Sequence, residues 1–312
     1  MHRHVYSERT VTETATKTRC GFVSVIGLPN AGKSTLVNTL VGSKVSIVSR
    51  KVQTTRTRIL GILTQGEAQI ILVDTPGLFT ARRPLEKAMV RTAVSGMEEG
   101  ELILHIVDVA KRNALEENSA IREMLRKKAP SVLVLNKVDK IAKHKLLDLS
   151  AQMNAAFPYE ATFMISAQNG SGVEDIKKYL AANLPESVWL FPEDQMSDMP
   201  MRILAAEITR EKIFEQLHEE LPYAIFVETD AWEEFENGSV KINQTVFVER
   251  ETQKAIVLGK GGSRIKEIGS AAREELKKIL QTDVHLKIHV SVLEKWTERP
   301  ACFNRIGLDS GT

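Results

Sequence analysis

Nine residues near the start of the chain, Gly27 to Thr35, constrain its fold more than any other stretch. They read Gly-Leu-Pro-Asn-Ala-Gly-Lys-Ser-Thr, follow a β-prone run at 22–26 and precede a segment with apolar residues at helical spacing. In the pattern G-x-x-x-x-G-K-[ST], successive backbone N–H groups point at a phosphate, and the following helix directs its positive end there. The sequence therefore predicts a strand, a phosphate-binding loop and a helix.

The same loop predicts roles for particular side chains. We expect the Lys33 ammonium to reach the β- and γ-phosphates and the Ser34 hydroxyl to ligate Mg²⁺. A nucleoside triphosphate with Mg²⁺ is the expected ligand. The predicted nucleotide-binding residues of this stretch are Gly27, Pro29, Asn30, Ala31, Gly32, Lys33, Ser34 and Thr35.

The composition limits the class of protein. The 312 residues amount to about two domains, and 43% hydrophobic residues suffice for buried cores. No apolar run approaches the roughly 18 residues of a membrane span. Residues 1–19 are polar and rich in Thr, so we expect a disordered leader rather than a secretory signal. Two cysteines make no disulfide framework, and a soluble protein of the reducing cytoplasm is expected.

Two further segments predict the remainder of a magnesium site. The apolar run at 70–73 ends in Asp74-Thr75-Pro76-Gly77, which places the Asp74 carboxylate at the carboxyl end of a buried strand, where it can reach Mg²⁺ through water. The Gly77 N–H can meet the γ-phosphate. In the polar loop at 45–58, Thr55 or its neighbour Thr54 can complete the metal shell when a γ-phosphate is present. The predicted metal ligands are Ser34, Thr55 and Asp74, and the predicted nucleotide contacts here are Asp74, Thr75, Pro76 and Gly77.

The base of the nucleotide is predicted from two later strand ends. The run at 132–135 leads into Asn136-Lys137-Val138-Asp139, and the Asp139 carboxylate can accept hydrogen bonds from N1–H and the exocyclic amine of guanine. Adenine has no proton at N1, so such a site rejects it. A fourth strand at 161–165 precedes Ser166-Ala167, whose N–H groups can meet the guanine O6. The predicted base-binding residues are Asn136, Lys137, Asp139, Ser166 and Ala167.

The second half of the chain has a different organisation. Three prolines mark a linker at 185–200. After it, the residues predict an amphipathic helix from Met201, strands at 223–229 and 240–249, a helical run that ends at Leu280 and a final strand at 284–290, with a tail at 301–312. A Gly-x-x-Gly loop at 259–262 precedes a basic amphipathic helix, which is the KH arrangement for clamping single-stranded RNA. Residues 250–278 hold eight bases and four acids. The predicted RNA-binding residues are Gly259, Lys260, Gly261, Gly262, Arg264 and Lys266.

These motifs together resemble the bacterial Era GTPases, translation-factor-related small GTPases with a C-terminal type II KH domain. The resemblance rests on the motifs above and on the run Ser46 to Arg56, which is similar to the switch region of that family, and it covers nearly all of the chain after the leader. It implies a P-loop GTPase domain at 20–184, with an α/β doubly wound, mostly parallel sheet, followed by a smaller α+β type II KH domain. It also makes 252–258 a short helix, where propensity favours a strand, so that the second domain has the order helix, strand, strand, helix, helix and strand. The implied partners are the 3′ end of 16S ribosomal RNA and the 30S subunit, whose maturation the protein would assist.

The sequence says less about the residues that catalyse hydrolysis than about those that bind the nucleotide. The predicted catalytic residues are Lys33, Thr55 and Gly77. Many small GTPases place a Gln directly after Asp-x-x-Gly to orient water, but Leu78 stands there, so intrinsic hydrolysis should be slow or need help. Asn30 matches the position used by related K⁺-stimulated GTPases, and we hypothesise K⁺ stimulation.

A second class of function remains open on the sequence. The protein could be a nucleotide-regulated switch whose KH-like domain serves as a protein adaptor or acts at a membrane surface. The segment 82–98 predicts an amphipathic helix that would pack on its own domain or touch the inner face of the cell membrane. A monomer is expected in either case.

Overall fold

The computed structural model describes residues 17–49, 51, 53–126, 128–217 and 221–308. Residues 1–16 of the predicted leader and 309–312 of the predicted tail lie outside the described residues. The strands are β1 (Arg19–Gly27), β2 (Ile59–Gln65), β3 (Ala68–Asp74), β4 (Leu102–Asp108), β5 (Ser131–Asn136), β6 (Ala161–Ile165), β7 (Phe226–Glu234), β8 (Val240–Val248) and β9 (Val284–Val292). The α-helices are α1 (Lys33–Val41), α2 (Pro84–Glu98), α3 (Ala114–Glu117), α4 (Ser119–Leu125), α5 (Lys143–Ala156), α6 (Val173–Asn183), α7 (Met201–Gln216), α8 (Glu251–Leu258), α9 (Ser263–Leu280) and α10 (Pro300–Phe303). Single 3₁₀ turns lie at Val138–Lys140, Leu221–Ala224, Lys260–Gly262, Trp296–Glu298 and Asn304–Ile306.

The first six strands form one sheet in the order β2-β3-β1-β4-β5-β6, with only β2 antiparallel to its neighbour. Its central strands are buried along nearly their whole length, as expected when helices cover both faces. Leu36 of α1 and Leu180 of α6 pack on one face, and Met97 of α2 and Met153 of α5 on the other. The predicted doubly wound, mostly parallel sheet is confirmed.

The last three strands form a second sheet in the order β7-β8-β9, with β7 antiparallel and β9 parallel to β8. Residues of β8 are alternately buried and half-buried, and α7, α8 and α9 cover the buried face. The predicted order of helix, strand, strand, helix, helix and strand is confirmed.

Two local predictions in this unit had different outcomes. Residues 252–258 are helical as the resemblance implied, and the strand favoured by propensity is wrong there. Gln253 Oε1 accepts the N–H groups of Glu249 and Arg250 at 2.8 and 3.1 Å, and Val257 is fully buried, so capping and packing override local preference. A strand predicted from Tyr223 begins only at Phe226, because a 3₁₀ turn that contains Pro222 precedes it.

The connection between the units lies against the first sheet. The Ile62 N–H donates to the Met196 carbonyl at 2.9 Å, and the Leu60 N–H donates to Asp198 Oδ1 at 3.0 Å. Trp189 packs beside the buried residues of β2 and β3. Segment 196–198 thus extends hydrogen bonding beyond β2, the edge strand.

Helix α2 contacts both units. Met97 packs on the first sheet, whereas Leu85 and Met89 pack with Trp296 and Phe303 from the end of the chain. We expected this helix to pack on its own domain, but only its second half does so; its first half packs on the end of the chain. None of the helices in the described part of the chain combines the length and apolar character needed to cross a bilayer.

Candidate functional site

The loop between β1 and α1 has the strand-loop-helix geometry predicted from the sequence. Gly32 has φ 99°, and a Cβ at this position would lie 2.2 Å from Asn136 Nδ2, so only glycine fits. Helix α1 begins at the next residue, Lys33. Lys33 is 6% exposed, and its ammonium donates to the carbonyls of Gly27 and Leu28, both at 3.2 Å. Burial lowers the pKa of Lys33 to about 8, although Asp74 opposes this effect.

Two hydroxyl groups bind one carboxylate beside this loop, and a third hydroxyl lies against one of them. The Ser34 hydroxyl lies 2.6 Å from Asp74 Oδ2 and 2.8 Å from Thr55 Oγ1, and the Ser46 hydroxyl donates to Asp74 Oδ2 at 2.8 Å. Thr54 Oγ1 instead donates to the Lys51 carbonyl at 2.7 Å, so Thr55 is the one of the two threonines beside Ser34. Ser46 was not predicted as a site residue, because the switch-like run that begins with it does not show which of its side chains turn towards Asp74.

The electrostatics of Asp74 fit a hard cation. Burial raises its pKa, while the Ser34 hydrogen bond and the Lys33 charge act in the opposite direction. Asp74 Oδ1 is buried and has no hydrogen-bond partner among the described residues. Hydroxyl and carboxylate oxygens are the donors that Mg²⁺ prefers, and an unpaired buried oxygen is costly without a partner, so the donor set fits this ion.

The turn after β3 packs tightly against the phosphate-binding loop. A Cβ on Gly77 would lie 2.8 Å from the Pro29 backbone nitrogen, so a larger residue would push the two loops apart. Thr75 is fully buried and donates through Oγ1 to the Val25 carbonyl at 3.2 Å, and Pro76 is buried with it. Leu78 is 7% exposed and packs among apolar residues, so its side chain offers no polar group to orient water.

The Asn136 side chain joins the two predicted base-binding segments to the phosphate-binding loop. Its Nδ2 donates to the Ala31 carbonyl at 2.8 Å, and its Oδ1 accepts the N–H groups of Lys137 and Ala167 at 2.8 and 2.9 Å. The Lys137 ammonium donates to the Asn30 carbonyl at 2.7 Å and lies 2.6 Å from Asp108 Oδ2. Asp108, at the end of β4, was not predicted, although its place at a carboxyl strand end is a signal that could have found it.

Asp139 faces the solvent at the rim of this region. A hydrogen bond with Ser166 holds the pKa of the Asp139 carboxyl below its usual range. The carboxylate therefore stays ionised near neutral pH and can accept two hydrogen bonds. Asn30, Gly32, Thr35, Asn136, Lys137, Asp139, Ser166 and Ala167 line one groove of about 1220 Å³.

The six predicted RNA-binding residues form a separate group in the second unit. Gly261 and Gly262 have φ of 60° and 79°, and a Cβ at either would meet nothing within 4 Å, so the loop between α8 and α9 is open. Lys260 and Lys266 are exposed. Arg264 donates through Nη1 to the Ile256 carbonyl at 2.7 Å, which holds its guanidinium beside α8. The loop therefore presents backbone and positive charge together, with Gly259 at its start.

Models of known families match both units. A model described as 50S ribosome-binding GTPase matches residues 22–137, and a KH domain model matches residues 220–297. The GTPase Era of Afipia carboxidovorans is 53% identical over 95% of this chain and 96% of its own length. The GTPase Era of Rhizobium meliloti is 55% identical over 95% of this chain and 94% of its own length.

Solved structures give the same result. A crystal structure of Era in complex with MgGDPNP and nucleotides 1506–1542 of 16S ribosomal RNA has a TM-score of 0.88 and 37% identity, and it covers 94% of this chain and 99% of that one. A point variant of Aquifex aeolicus Era bound to GDP and AlF4⁻ has a TM-score of 0.87 and 37% identity, covering 94% and 100%. Relatives above half identity along nearly the whole length of both chains show the family. The chain belongs to the Era family of GTPases.

Proposed function

We propose that this protein binds and hydrolyses GTP with Mg²⁺, binds the 3′ end of 16S ribosomal RNA through its glycine loop, and assists maturation of the 30S ribosomal subunit. The observation that carries the proposal is the meeting of Ser34, Thr55 and Asp74 at the phosphate-binding loop, in a chain that also presents an open basic glycine loop. The relative bound to MgGDPNP and a 16S fragment supports both ligands.

The roles of the nucleotide-site residues follow from their chemistry. Lys33 would exchange its bonds to loop carbonyls for bonds to the β- and γ-phosphates, which compensates its burial. Ser34 and Thr55 would ligate Mg²⁺ directly and Asp74 through water. When bound, Mg²⁺ neutralises charge on the phosphates. The Gly77 N–H would donate to the γ-phosphate, and Asp139 would read the guanine edge.

Water activation is proposed to use K⁺, because Leu78 offers no polar group. Asn30 is the residue we assign to this cation, since it lies in the phosphate-binding loop at the rim of the nucleotide groove. Turnover should be faster in K⁺ than in Na⁺ at matched ionic strength, and Asn30→Ala should abolish the difference. Equal turnover in both salts would contradict the assignment.

The domain boundaries are also part of the proposal. We assign 20–184 to the GTPase domain, 185–200 to the linker, 201–300 to the KH domain, and 1–19 and 301–312 to a leader and a tail. A cytoplasmic monomer fits this function. The alternative is a nucleotide-regulated switch that uses the second unit as an adaptor and touches the inner membrane face through the helix at 82–98, and vesicle sedimentation of the full chain without RNA would reveal that contact.

The test is binding of a labelled single-stranded RNA with the 16S 3′ sequence, compared with GDP and with a nonhydrolysable GTP analogue at fixed salt. Tighter binding with the analogue is expected, and a scrambled RNA should bind more weakly. Gly261→Asp combined with Gly262→Asp should abolish RNA binding but leave GDP binding intact, because the two groups of residues are separate. Absence of RNA binding in both nucleotide states would overturn the RNA function.

A further inference from the structure

The segment that carries Thr55 lies between the two units. From Lys44 to Arg56, its described residues contact the metal-site residues on one side and α7 of the second unit on the other. The first unit holds the start of this segment through Asn38, whose Oδ1 accepts the N–H groups of Val45 and Ser46, both at 3.0 Å. Beyond Ser46, side chains of α7 bind the backbone of the segment.

Glu211 of α7 binds the first half of the segment. It is 2% exposed, its Oε1 accepts the Val48 N–H at 2.7 Å, and its Oε2 lies 2.5 Å from the Lys44 ammonium. Ile47, between these two residues, is 1% exposed and packs among apolar residues of the second unit. A buried carboxylate with this set of partners fixes the position of the backbone at Val48.

Arg210, the neighbouring residue of α7, binds the second half. It is 1% exposed, and its Nη2 donates to the Thr54 carbonyl at 2.6 Å. On the far side of Thr55, Arg56 donates to the carbonyls of Ile225 and Tyr223 at 2.6 and 2.9 Å. The residues on both sides of Thr55 are thus hydrogen-bonded to the second unit.

Helix α7 also reaches the nucleotide groove. Phe214 and Glu215, one turn after Glu211, line the same groove as the predicted base-site residues. The guanidinium of Arg210 lies 4.9 Å from the Phe214 ring centroid. One face of α7 therefore meets both the Thr55 segment and the groove.

We propose that Glu211 and Arg210 are positioning residues for GTP hydrolysis. They hold the segment on the far side of Ser46, and with it Thr55 against Ser34, so that the metal site is preorganised by a helix outside the GTPase unit. Ordering a polar loop has an entropic cost, and here the bonds from α7 offset that cost before any ligand binds.

The test uses the full chain and three substitutions. Glu211→Ala removes both bonds to the segment. Glu211→Gln keeps an acceptor for the Val48 N–H but loses the charge opposite Lys44. Glu274→Gln, which changes an exposed carboxylate on α9, is the matched control. Amide hydrogen exchange of residues 44–56 is measured in nucleotide-free protein, and the Mg²⁺ dependence of GTP turnover is measured separately.

For Glu211→Ala we expect faster exchange at Val48, a Mg²⁺ concentration for half-maximal turnover raised by about 10-fold, and kcat lowered by about 10-fold. GDP affinity in EDTA should stay unchanged, because Thr55 then has no ligand to bind. Glu211→Gln should retain the protection of Val48 and show a smaller shift in Mg²⁺ dependence. The control should match wild type in every measurement.

A folded Glu211→Ala protein with wild-type exchange at 44–56 and wild-type Mg²⁺ dependence would overturn the proposal. So would a uniform loss of protection throughout the second unit without a shift in Mg²⁺ dependence, since that pattern indicates only a structural role. If Glu211→Ala does not fold, Arg210→Lys is tested in its place. Lysine keeps the charge but cannot present the planar fork that reaches both Glu207 and Thr54, so the same shift in Mg²⁺ dependence is expected and its absence would count against the role of Arg210.

Discussion

The phosphate-binding site and the glycine loop of the second unit differ in how far the protein alone organises them. At the first, Lys33 and Asp74 are buried and hydrogen-bonded to other protein groups. At the second, Lys260 and Lys266 are exposed, and the space around Gly261 and Gly262 is open. A small rigid ligand needs donors at fixed positions, whereas a flexible strand needs close backbone approach and positive charge. Buried charged residues therefore indicate the site for the small nucleotide, and exposed charged residues indicate the site for the flexible RNA strand.

The largest expected effect is a change of base preference. Asp139→Asn replaces an acceptor for the guanine N1–H and amine with an amide that can donate to the C2 carbonyl of xanthine. The preference for GDP over XDP should reverse, with GDP affinity falling by about 10⁴-fold. Calorimetric titration with both nucleotides measures it, and Asp283→Asn is a solvent-exposed control. A variant that still prefers GDP would show that another group reads the base.

The next largest effect concerns Asp74 and tests whether the protein alone organises the magnesium site. Asp74→Asn keeps the shape of the side chain but removes the negative charge opposite Ser34 and Lys33. We expect Mg²⁺-supported GTP turnover to fall by about 100-fold. Nucleotide affinity in EDTA should change little, and an equal loss with and without Mg²⁺ would indicate damage to the phosphate-binding loop instead.

Acid should destabilise the GTPase unit, because it contains a buried neutral histidine. His105 in β4 is fully buried against Asn118 and Tyr159, with Arg122 nearby, and burial lowers its pKa to about 4 from an ordinary 6.5. Its neutral form stabilises the fold fully above pH 6.5, and this contribution is lost as the pH falls towards 4, by about 2 kcal/mol between pH 7 and 5. Denaturant unfolding of wild type and His105→Gln at both pH values measures it. The wild type should lose more stability, and equal losses would contradict the assignment.

The smallest effect concerns a single charge beside the glycine loop. Lys266→Gln should weaken binding of single-stranded RNA only a few-fold, because one phosphate contact is lost, and should reduce the slope of log affinity against log salt by about 1. Titrations at several salt concentrations give the slope. Lys241→Gln on β8 is the control, and an unchanged slope for Lys266→Gln would place the phosphates elsewhere.

The sequence predicted the parts of the site that are local. Lys33, Asp74 and Asn136 each stand at the end of a buried strand or the start of a helix, so their convergence follows from the parallel sheet. The roles of the predicted site residues and the domain boundaries stay predictions. The helix at 252–258 was predicted by resemblance and not by propensity, since packing of Val257 decides it.

The missed residues depend on contacts distant in sequence. Ser46 reaches Asp74 only because its loop turns inward, and Glu211 reaches Val48 across 163 positions of sequence. Glu211 stands in no recognisable motif, and the switch-like run that begins at Ser46 does not show which of its hydroxyl groups reach Asp74. The sequence also could not decide whether Thr54 or Thr55 lies beside Ser34. Two adjacent threonines are chemically identical, and only the course of the backbone distinguishes them.

The bonds between segment 196–198 and β2 have a consequence for solubility. An edge strand with free N–H and C=O groups is a template on which another chain can add, and the connection to the second unit covers this one. A shorter or more flexible connection would uncover the template even if it still spanned the distance. The length of this segment is therefore constrained by protection against self-association as well as by the reach it gives to the RNA-binding unit.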